Sequence, residues 1–340
     1  MQSKENFYPL LCKPVLKSKI WGGRKINELF DIELPQNEKI GEAWMVADLR
    51  EGSSEVVNGI FAGRTLSEIT KILGNNLIGE AWVGKPTGGR FPLLIKFLDA
   101  QDDLSIQVHP DDNACKTDFL NDFSKDENWV ILHSEEGGHI LHGFNKGIQL
   151  SDYDDLLKKD KVEECIRSVD VSAGDVIRVS PGTVHALCKG VSILEIQEPS
   201  DSTFRIYDYG RLGDDGKPRQ LHIEAARKVM KFGDDSPAKI QTVVENKSWG
   251  KYELLVDVPA CRIERAVFQK DHSWSVNPKS VQVMIIIDGE LNLSSNGESL
   301  HISKGNCVIL PSAIANVSIE LISKTATCVF AGAYGIEMIG

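Results

Sequence analysis

Most apolar segments of this sequence are short, rich in β-branched residues, and bounded by glycine, proline, aspartate or asparagine. Segments of that kind are typical of β-strands, whereas a helix needs a longer run with apolar residues at intervals of three and four. Many strands at short intervals favour a β-sandwich or β-barrel with a few peripheral helices. The clearest examples are FPLLIKFLDA, NWVILH, GDVIRVS, SILEIQE, YELLVDV, RIERAVF, VQVMIIID and NCVILP. The sequence therefore predicts a mainly β fold.

Helical patterns are clear in only a few places. In residues 65–82, Thr65 and Glu68 have the spacing of a capping box, and apolar residues recur behind them at helical intervals. Two weaker patterns begin at Ser151, after a polar cap, and near residue 221. We expect these segments to form the peripheral helices.

The length of the chain predicts two domains. A chain of 340 residues is longer than one ordinary hydrophobic core supports. Between residues 230 and 246 the helical pattern stops, and a cluster of glycine, aspartate, serine and proline follows, as in a connector. We therefore predict a first domain over residues 1–240 and a second over residues 241–340.

Charge and composition exclude several classes of protein. A formal net charge of −11 without a dense Lys/Arg run argues against binding to nucleic acid or to acidic membrane surfaces. No apolar run approaches the ~20 residues that a membrane-spanning helix needs, and Pro9 and Pro14 interrupt any signal-type apolar core. Seven widely spread cysteines without a CxxC pair fit reduced thiols. We expect a cytoplasmic protein, either a monomer or a weak homodimer.

One strand–turn–strand pattern occurs twice. Residues 173–187 (AGDVIRVSPGTVHAL) and residues 304–318 (KGNCVILPSAIANVS) align so that His185 corresponds to Asn316. The imidazole is therefore present in the first copy and replaced in the second.

A second contrast lies upstream of each copy. In SIQVHPDD, His109 stands two residues after Gln107, whereas in SVQVMIII Met284 stands two residues after Gln282. We interpret the second half as a copy that has lost its ligands. A metal ion, if one binds, is therefore expected in the first half.

Four polar residues of the first half have the chemistry of a metal site. Gln107 and His109 are two positions apart and face the same side of a strand. Glu127 stands at the start of another strand, and His185 lies on a tight turn. Two imidazoles, a carboxylate and an amide oxygen suit Zn²⁺ or another first-row divalent ion. Such separated strands converge on one site only inside a barrel or a sandwich.

The first two thirds of the chain resemble the type I mannose-6-phosphate isomerases, which are zinc-dependent enzymes of the cupin superfamily. The motifs occur in the order and spacing of the family, and together they are specific. They are WGGRKINELF, IGEAWMVADL, FPLLIKFLDAQDDLSIQVHPDD, KDENWVIL, SPGTVHALCKG, LEIQEPSDSTFRIYDYGR and GKPRQLHIE. The resemblance implies two cupin (jelly-roll) domains, the second degenerate and without metal ligands.

The resemblance also implies roles for individual residues. One Zn²⁺ per chain is expected on the metal ligands, and a phosphosugar is the expected substrate. Ser105 and Lys125 match positions that face the phosphate. The implied metal ligands are Gln107, His109, Glu127 and His185, and the implied residues near the sugar are Lys96, Glu195 and Arg205.

The chemistry of an aldose–ketose isomerase explains these residue types. Interconversion of mannose 6-phosphate and fructose 6-phosphate through a cis-enediolate needs a base, an electrophile at the two sugar oxygens and an anchor for the phosphate. Zn²⁺ supplies the electrophile, and the fixed donor fork of Arg205 suits phosphate or enediolate. Either Glu195 or Lys96 can serve as the base, because burial near a metal tunes both toward neutrality.

Other interpretations stay open from the residues alone. Glu195 and Arg205 could form a structural ion pair, and Lys96 could reach solvent. The whole chain could also be a sugar-sensing cupin without activity, or an iron-dependent cupin oxygenase. The remaining clustered histidines, in HSEEGGHILH, are expected at the surface rather than in a second metal site; they are His133, His139 and His142.

Overall fold

The computed structural model describes residues 7–340, apart from residues 83, 84, 86, 118–122, 214, 270–272, 277–279, 315, 336, 337 and 340. Strands greatly outnumber helices, so the predicted mainly β fold is confirmed. Within this described part of the chain, no helix is both long and apolar enough to cross a membrane.

The strands as far as residue 207 are β1 (Leu10–Lys13), β2 (Val15–Gly23), β3 (Ile40–Val46), β4 (Asp48–Leu49), β5 (Gly52–Ser53), β6 (Glu55–Val56), β7 (Leu94–Ala100), β8 (Ile106–Val108), β9 (Glu127–Ser134), β10 (His139–Phe144), β11 (Ile166–Asp170), β12 (Val176–Val179), β13 (His185–Leu187), β14 (Val191–Gln197) and β15 (Phe204–Tyr207). The later strands are β16 (Val244–Lys247), β17 (Gly250–Asp257), β18 (Arg262–Gln269), β19 (Ser273–Val276), β20 (Gln282–Asp288), β21 (Glu290–Ser295), β22 (Glu298–Ser303), β23 (Cys307–Leu310), β24 (Val317–Leu321), β25 (Thr325–Gly332) and β26 (Met338–Ile339).

The helices are α1 (Lys25–Phe30), α2 (Leu66–Leu73), α3 (Asn75–Ile78), α4 (Asp112–Thr117), α5 (Leu150–Leu157) and α6 (Ile223–Val229). Short 3₁₀ turns cover Gly59–Phe61, Glu80–Trp82 and Val162–Cys165.

The helix predicted over residues 65–82 is interrupted. Its capping box is present, because the Glu68 carboxylate accepts the Thr65 N–H at 2.9 Å and the Thr65 hydroxyl accepts the Glu68 N–H at 3.3 Å. The α2 helix ends at Gly74, whose φ of +49° lies outside the right-handed helical region, and α3 and a 3₁₀ turn complete the segment. The two weaker predictions correspond to α5 and α6.

Two sheets carry the predicted site residues. A six-stranded sheet has the order β12-β9-β14-β7-β3-β2, and a five-stranded sheet has the order β11-β10-β13-β8-β15. All pairings within them are antiparallel. The predicted site residues on strands lie on β7, β9 and β14 of the first sheet and on β8, β13 and β15 of the second. The site therefore lies between two facing sheets.

The same arrangement recurs with later strands. An eight-stranded sheet has the order β16-β17-β18-β25-β20-β23-β1-β6, and a five-stranded sheet has the order β22-β21-β24-β19-β26. One buried hydrophobic cluster contains residues of both sheet pairs, among them Phe97 and Leu194 of the first and Ile309 and Phe330 of the second. The two sheet pairs are thus joined by continuous apolar packing.

The strand β1 belongs to the second sheet pair, although it lies at the start of the described chain. It runs antiparallel to β23, with Leu10 opposite Ile309 and Cys12 opposite Cys307. The boundary predicted near residue 240 falls between α6 and β16. The position of this boundary stays a prediction, because β1 precedes it in the sequence but pairs with β23, which follows it.

The internal repeat is visible in the strand pairing, but the predicted alignment of Gln282 with Gln107 is wrong. Val179 at the end of β12 lies opposite Glu127, and Leu310 at the end of β23 lies opposite Gln282. The strand β20 therefore takes the place of β9, and Gln282 takes the place of Glu127. The strands β8 and β20 both contain Gln-Val, and this shared pattern led to the wrong alignment. The strand pairing gives the correct one.

Candidate active site

Three separate strands bring His109, Glu127 and His185 together. His109 follows the end of β8, Glu127 begins β9, and His185 begins β13. All three side chains are buried, and one potential ligand atom from each lies within 4.8 Å of the others. In the part of the chain that the structure describes, this is the group of histidine, cysteine and acidic residues arranged to hold a metal ion. The predicted convergence of these residues is therefore present.

A glycine turn sets the position of His185. Gly182 has a φ of +86°, which favours glycine, and its N–H donates to the His109 carbonyl at 2.9 Å. A Cβ atom at this position would lie 2.7 Å from the Val229 carbonyl oxygen. Glycine therefore lets the turn lie directly against the end of α6, while its N–H binds the chain segment that carries His109.

Each of the two imidazoles is oriented by a backbone carbonyl. His109 Nδ1 lies 2.9 Å from the Ser202 oxygen, and His185 Nδ1 lies 2.9 Å from the Thr183 oxygen. Because a carbonyl only accepts hydrogen bonds, both Nδ1 atoms donate, and each Nε2 is left with its lone pair. The two Nε2 atoms lie 3.2 and 3.6 Å from the Glu127 oxygens. Neutral imidazoles with a fixed tautomer thus face one carboxylate.

The pKa values of both histidines agree with the neutral form. Burial and then the charge of Lys125 lower the pKa of His109, and burial and then His109 lower the pKa of His185 to about 3. The neutral form is the one that binds metal ions.

Glu127 is an ionised carboxylate in a buried place. Burial alone would raise its pKa, but Lys125 and His109 lower it well below its ordinary value. Lys125 Nζ lies 2.6 Å from Glu127 Oε1, although neither carboxylate oxygen accepts a hydrogen bond of regular geometry from the described residues. A buried carboxylate of this kind is suited to binding a cation.

Gln107 completes the predicted ligand set. Its amide lies 3.3 Å from His185 Nε2, through the atom assigned as Nε2. Rotation of the amide by half a turn would bring Oε1 to the same place, and the two assignments differ only in hydrogen bonding. Two imidazole nitrogens, a carboxylate and an amide oxygen therefore fit a divalent metal ion.

A polar cavity of about 270 Å³ lies beside these ligands. It contains all the predicted sugar and phosphate residues together with Gln107. The lining residues are Lys19, Trp21, Glu42, Lys96, Leu98, Leu104, Ser105, Gln107, Lys125, Glu195, Asp201, Thr203, Arg205 and Arg219.

Lys96 and Glu195 form a buried ion pair in this cavity, with Nζ and Oε2 3.0 Å apart. Burial alone would lower the pKa of Lys96, but Glu195 and then Glu42 raise it above its ordinary value. Burial and then Glu127 raise the pKa of Glu195. Lys96 is therefore held as an ammonium group. The alternatives that Lys96 reaches solvent and that Glu195 pairs with Arg205 are both wrong.

Arg205 lies beside the candidate metal centre. On β15 it is the direct antiparallel neighbour of Gln107 on β8, so the two side chains leave the sheet on the same face. Its Nη1 donates to the Gln220 carbonyl at 2.8 Å, whereas its buried Nε has no hydrogen-bond partner among the described residues. At least one donor of this guanidinium is thus available to a bound anion.

Ser105 and Lys125 both line the cavity and are buried. The Lys125 ammonium group contacts the candidate metal ligands, at 2.6 Å from Glu127 Oε1 and 3.3 Å from His109 Nε2. Lys125 thus lies closer to the metal ligands than the predicted phosphate role alone requires.

Several residues of the cavity were not predicted from the sequence. Glu42 on β3 accepts a hydrogen bond from Trp44 Nε1 at 2.5 Å and pairs with Lys19 at 3.0 Å. Burial alone would raise the pKa of Glu42, but Lys96, Lys19 and Trp44 lower it to about 2. The sequence signal for Glu42 was its alternation with Trp44 in IGEAW, which places both residues on one face of a strand. That strand, β3, lies directly beside β7, which carries Lys96.

Arg219 was also missed. Its guanidinium makes two hydrogen bonds to the buried Asp208 carboxylate, one of them at 2.7 Å, and Arg211 binds the same carboxylate at 2.7 Å. Asp208 thus orients two arginines, of which Arg219 lines the cavity. The motifs YDYGR and GKPRQLHIE contained these residues, but the spacing between them did not reveal that they meet.

The remaining histidine cluster does not assemble. His142 is buried, contrary to the expected surface position, and its Nε2 donates to the Arg178 carbonyl at 2.8 Å. His139 Nδ1 lies 3.2 Å from the Gly137 carbonyl oxygen. Local hydrogen bonds with the backbone therefore account for these two histidines.

Comparisons with known proteins identify the family. A model of the catalytic domain of type I phosphomannose isomerase matches residues 10–128. The chain is 34% identical over 338 residues to GmuF of Bacillus subtilis, a probable mannose-6-phosphate isomerase, covering 95% of this chain and 98% of that protein. It is 31% identical over 319 residues to the mannose-6-phosphate isomerase ManA of the same species, covering 92% and 96%.

Solved structures show the same fold. The crystal structure of the mannose 6-phosphate isomerase from Bacillus subtilis matches with a TM-score of 0.84 and 29% identity, covering 95% of this chain and 99% of that one. A putative mannosephosphate isomerase from Archaeoglobus fulgidus matches in fold with a TM-score of 0.75 at 16% identity, covering 97% and 98%. With relatives matched over nearly their whole length, the chain belongs to the type I phosphomannose isomerase family.

Proposed function

We propose that this chain interconverts D-mannose 6-phosphate and D-fructose 6-phosphate through a cis-enediolate, with one Zn²⁺ bound by Gln107, His109, Glu127 and His185. The observation that carries the proposal is that two neutral imidazoles and a buried carboxylate converge beside a cavity that holds Lys96, Glu195 and Arg205. The relatives named as mannose-6-phosphate isomerases support the substrate.

The proposed ligands account for the choice of metal. Zn²⁺ held there would act as a Lewis acid toward the carbonyl and hydroxyl oxygens of the open-chain sugar. Because Gln107 is neutral and Glu127 is the single carboxylate of the set, the ligands leave positive charge for a developing oxyanion. The carbonyls of Ser202 and Thr183 keep the imidazole lone pairs directed at the metal position.

Glu195 is the proposed base. The isomerisation moves one proton between C1 and C2 and a second proton between the oxygens on these carbons. The base must take the first proton from one carbon and return it to the other. Lys96 is held as an ammonium group, so it cannot accept that proton, whereas Glu195 has a raised pKa and lies in the same cavity. In this scheme Lys96 orients Glu195 and stabilises negative charge on the sugar oxygens.

The proposed phosphate anchor combines cations and a hydroxyl. Ser105, Lys125 and Arg205 all line the cavity, and the unpartnered Nε of Arg205 offers a donor to an anion. Lys125 also offsets the charge of Glu127, so it serves the metal end of the cavity as well.

The wider organisation is part of the same proposal. Residues 1–240 form the catalytic cupin and residues 241–340 a degenerate cupin in which Gln282 takes the place of Glu127. We propose a cytoplasmic monomer or weak homodimer, and seven buried cysteine thiols support a reducing compartment.

A coupled isomerase assay tests this function. The purified chain, loaded with zinc, is expected to convert mannose 6-phosphate, to lose activity on chelation and to regain it with Zn²⁺. His109→Ala is expected to lose both metal and activity, and Arg205→Ala to keep the metal and a low, measurable residual activity. Zinc-loaded protein that binds mannose 6-phosphate without turnover would support the sensing alternative, and oxygen uptake by an iron-loaded form would support the oxygenase.

A further inference from the structure

A three-residue segment that returns beside β15 holds Arg205 at several points. The backbone N–H of Arg205 donates to His222 Nδ1 at 3.1 Å, and its carbonyl accepts the His222 N–H at 2.7 Å. The Arg205 guanidinium donates through Nη1 to the Gln220 carbonyl at 2.8 Å. Residues 220–222 therefore bind both the main chain and the side chain of Arg205.

The place of His222 beside the open edge of the sheet explains why a side chain accepts the Arg205 N–H. Among the described residues, β15 is the last strand of its sheet and pairs with β8 on one side only. The hydrogen bonds to His222 lie on the open side, where a further strand would otherwise supply an acceptor and a donor. The imidazole of His222 supplies the acceptor, and its backbone supplies the donor.

The position of Arg205 bears directly on the candidate site. Arg205 is the cross-strand neighbour of Gln107, and the register between β15 and β8 shifts immediately after Arg205. Regular strand pairing therefore does not continue beyond Arg205 to fix its backbone. The hydrogen bonds to residues 220–222 supply that restraint, while Nε remains available to an anion in the cavity.

The tautomer of His222 follows from these contacts. A nitrogen that accepts the Arg205 N–H carries a lone pair, so the ring proton must lie on Nε2. Burial and then the charge of Arg205 lower the pKa of His222, which agrees with a neutral ring. A residue that replaces His222 must therefore offer an acceptor at its δ position.

We propose that His222 is a positioning residue for Arg205, holding the guanidinium toward the anionic groups of the bound sugar phosphate through the hydrogen bond to the Arg205 N–H. The inference rests on the proposed function, because it takes Arg205 as a residue that contacts substrate. His222 itself does not touch the reacting atoms.

A matched pair of substitutions separates the hydrogen bond from packing. His222→Asn keeps an acceptor at the δ position, whereas His222→Gln moves the amide by one carbon to the ε position. In the zinc-loaded full-length chain, we expect His222→Gln to lower kcat/KM about tenfold, since a misplaced catalytic group costs one to two orders of magnitude. His222→Asn should recover most of that loss. Metal content and melting temperature measure whether either variant disturbs the fold.

A double-mutant cycle tests whether the effect passes through Arg205. In an Arg205→Ala background, His222→Gln is expected to cause no further loss of kcat/KM. A full tenfold loss in that background, equal losses for Asn and Gln, or wild-type kinetics for Gln would each overturn the inference. Absence of isomerase activity in the unaltered zinc-loaded chain would instead overturn the proposed function.

Discussion

Lys96 and Glu195 lie directly opposite each other on the neighbouring strands β7 and β14, and their charged groups are 3.0 Å apart. Only 4% of each side chain is exposed to solvent. Removing one partner of such a pair leaves a buried charge without compensation, which is more costly than the pair itself is stabilising.

Lys96→Met is therefore expected to lower the free energy of unfolding by about 3 kcal/mol. Adding Glu195→Gln to that variant should restore part of the loss, because the unpaired carboxylate is then removed. Chemical denaturation measures both. Lys158→Met is the control, since Lys158 pairs with Asp155 at the surface with most of both side chains exposed, and it should leave stability unchanged.

Glu195→Gln alone is expected to affect catalysis far more than metal binding. If Glu195 is the base, the change should lower kcat by about 10²- to 10⁴-fold, with zinc content close to one ion per chain. Steady-state kinetics and elemental analysis provide the two readouts. A variant that keeps a wild-type kcat would exclude Glu195 as the base.

Glu127→Gln is expected to remove most of the bound zinc. The substitution preserves shape but replaces the carboxylate that both imidazoles and Lys125 face. Elemental analysis after dialysis measures the remaining metal. Glu42→Gln, which alters another buried carboxylate of the same cavity, should retain the metal; equal retention by both variants would contradict the assigned ligand.

Gly182→Ala is expected to lower the free energy of unfolding by more than the strained backbone conformation alone would. Gly182 and Gly147 both have a φ of +86°, but a Cβ meets the Val229 oxygen at 2.7 Å in the first case and nothing within 4 Å in the second. Gly147→Ala should cost about 1 kcal/mol, and Gly182→Ala should cost more and weaken zinc binding. Denaturation curves and zinc titration compare the two, and equal costs would show that the turn can move away.

Glu198 is expected to make stability depend on pH. Burial is the main cause that raises its pKa, to about 7. The folded chain therefore binds this proton more tightly than the unfolded chain does, and stability should fall as pH rises from about 4.5 to about 7 and then level off.

Glu198→Gln removes the titrating group and should reduce that fall by up to about 3 kcal/mol. Denaturation between pH 5 and pH 8 measures the difference. Glu224→Gln, with the carboxylate on the surface of α6, is the control and should keep the wild-type pH profile. A pH profile for Glu198→Gln that matches the profile of the unaltered chain would contradict the assignment of this pH dependence to Glu198.

Three of the candidate ligands, Gln107, His109 and His185, could be predicted because each carries a local signal in the sequence. The alternation of Gln107 and His109 on a strand, and the turn before His185, are visible in a few consecutive letters. Their meeting with Glu127 follows from family resemblance. The structure brings His109, Glu127 and His185 together, and the Gln107 amide lies beside His185.

Other residues depend on strand order, which short segments do not encode. Nothing near Asp208 indicates that Arg219 binds it, and nothing near Arg205 indicates that His222 completes the edge of its strand. The wrong alignment of Gln282 also arose because strand order was unknown. The pattern Gln-Val recurs on β8 and β20, which occupy different positions in their own sheets. Burial also escaped prediction for His142, whose surroundings in sequence are polar and rich in glycine.

The place of β1 beside β23 has a consequence for the order of folding. During synthesis β1 emerges long before its partner strand β23, because most of the described chain lies between them. Until then, β1 has an open edge on the side that β23 later covers, and closing so long a loop is slow. We therefore expect the pairing of β1 with β23 to be a late step of folding, and an interrupted chain to be prone to aggregation at that edge.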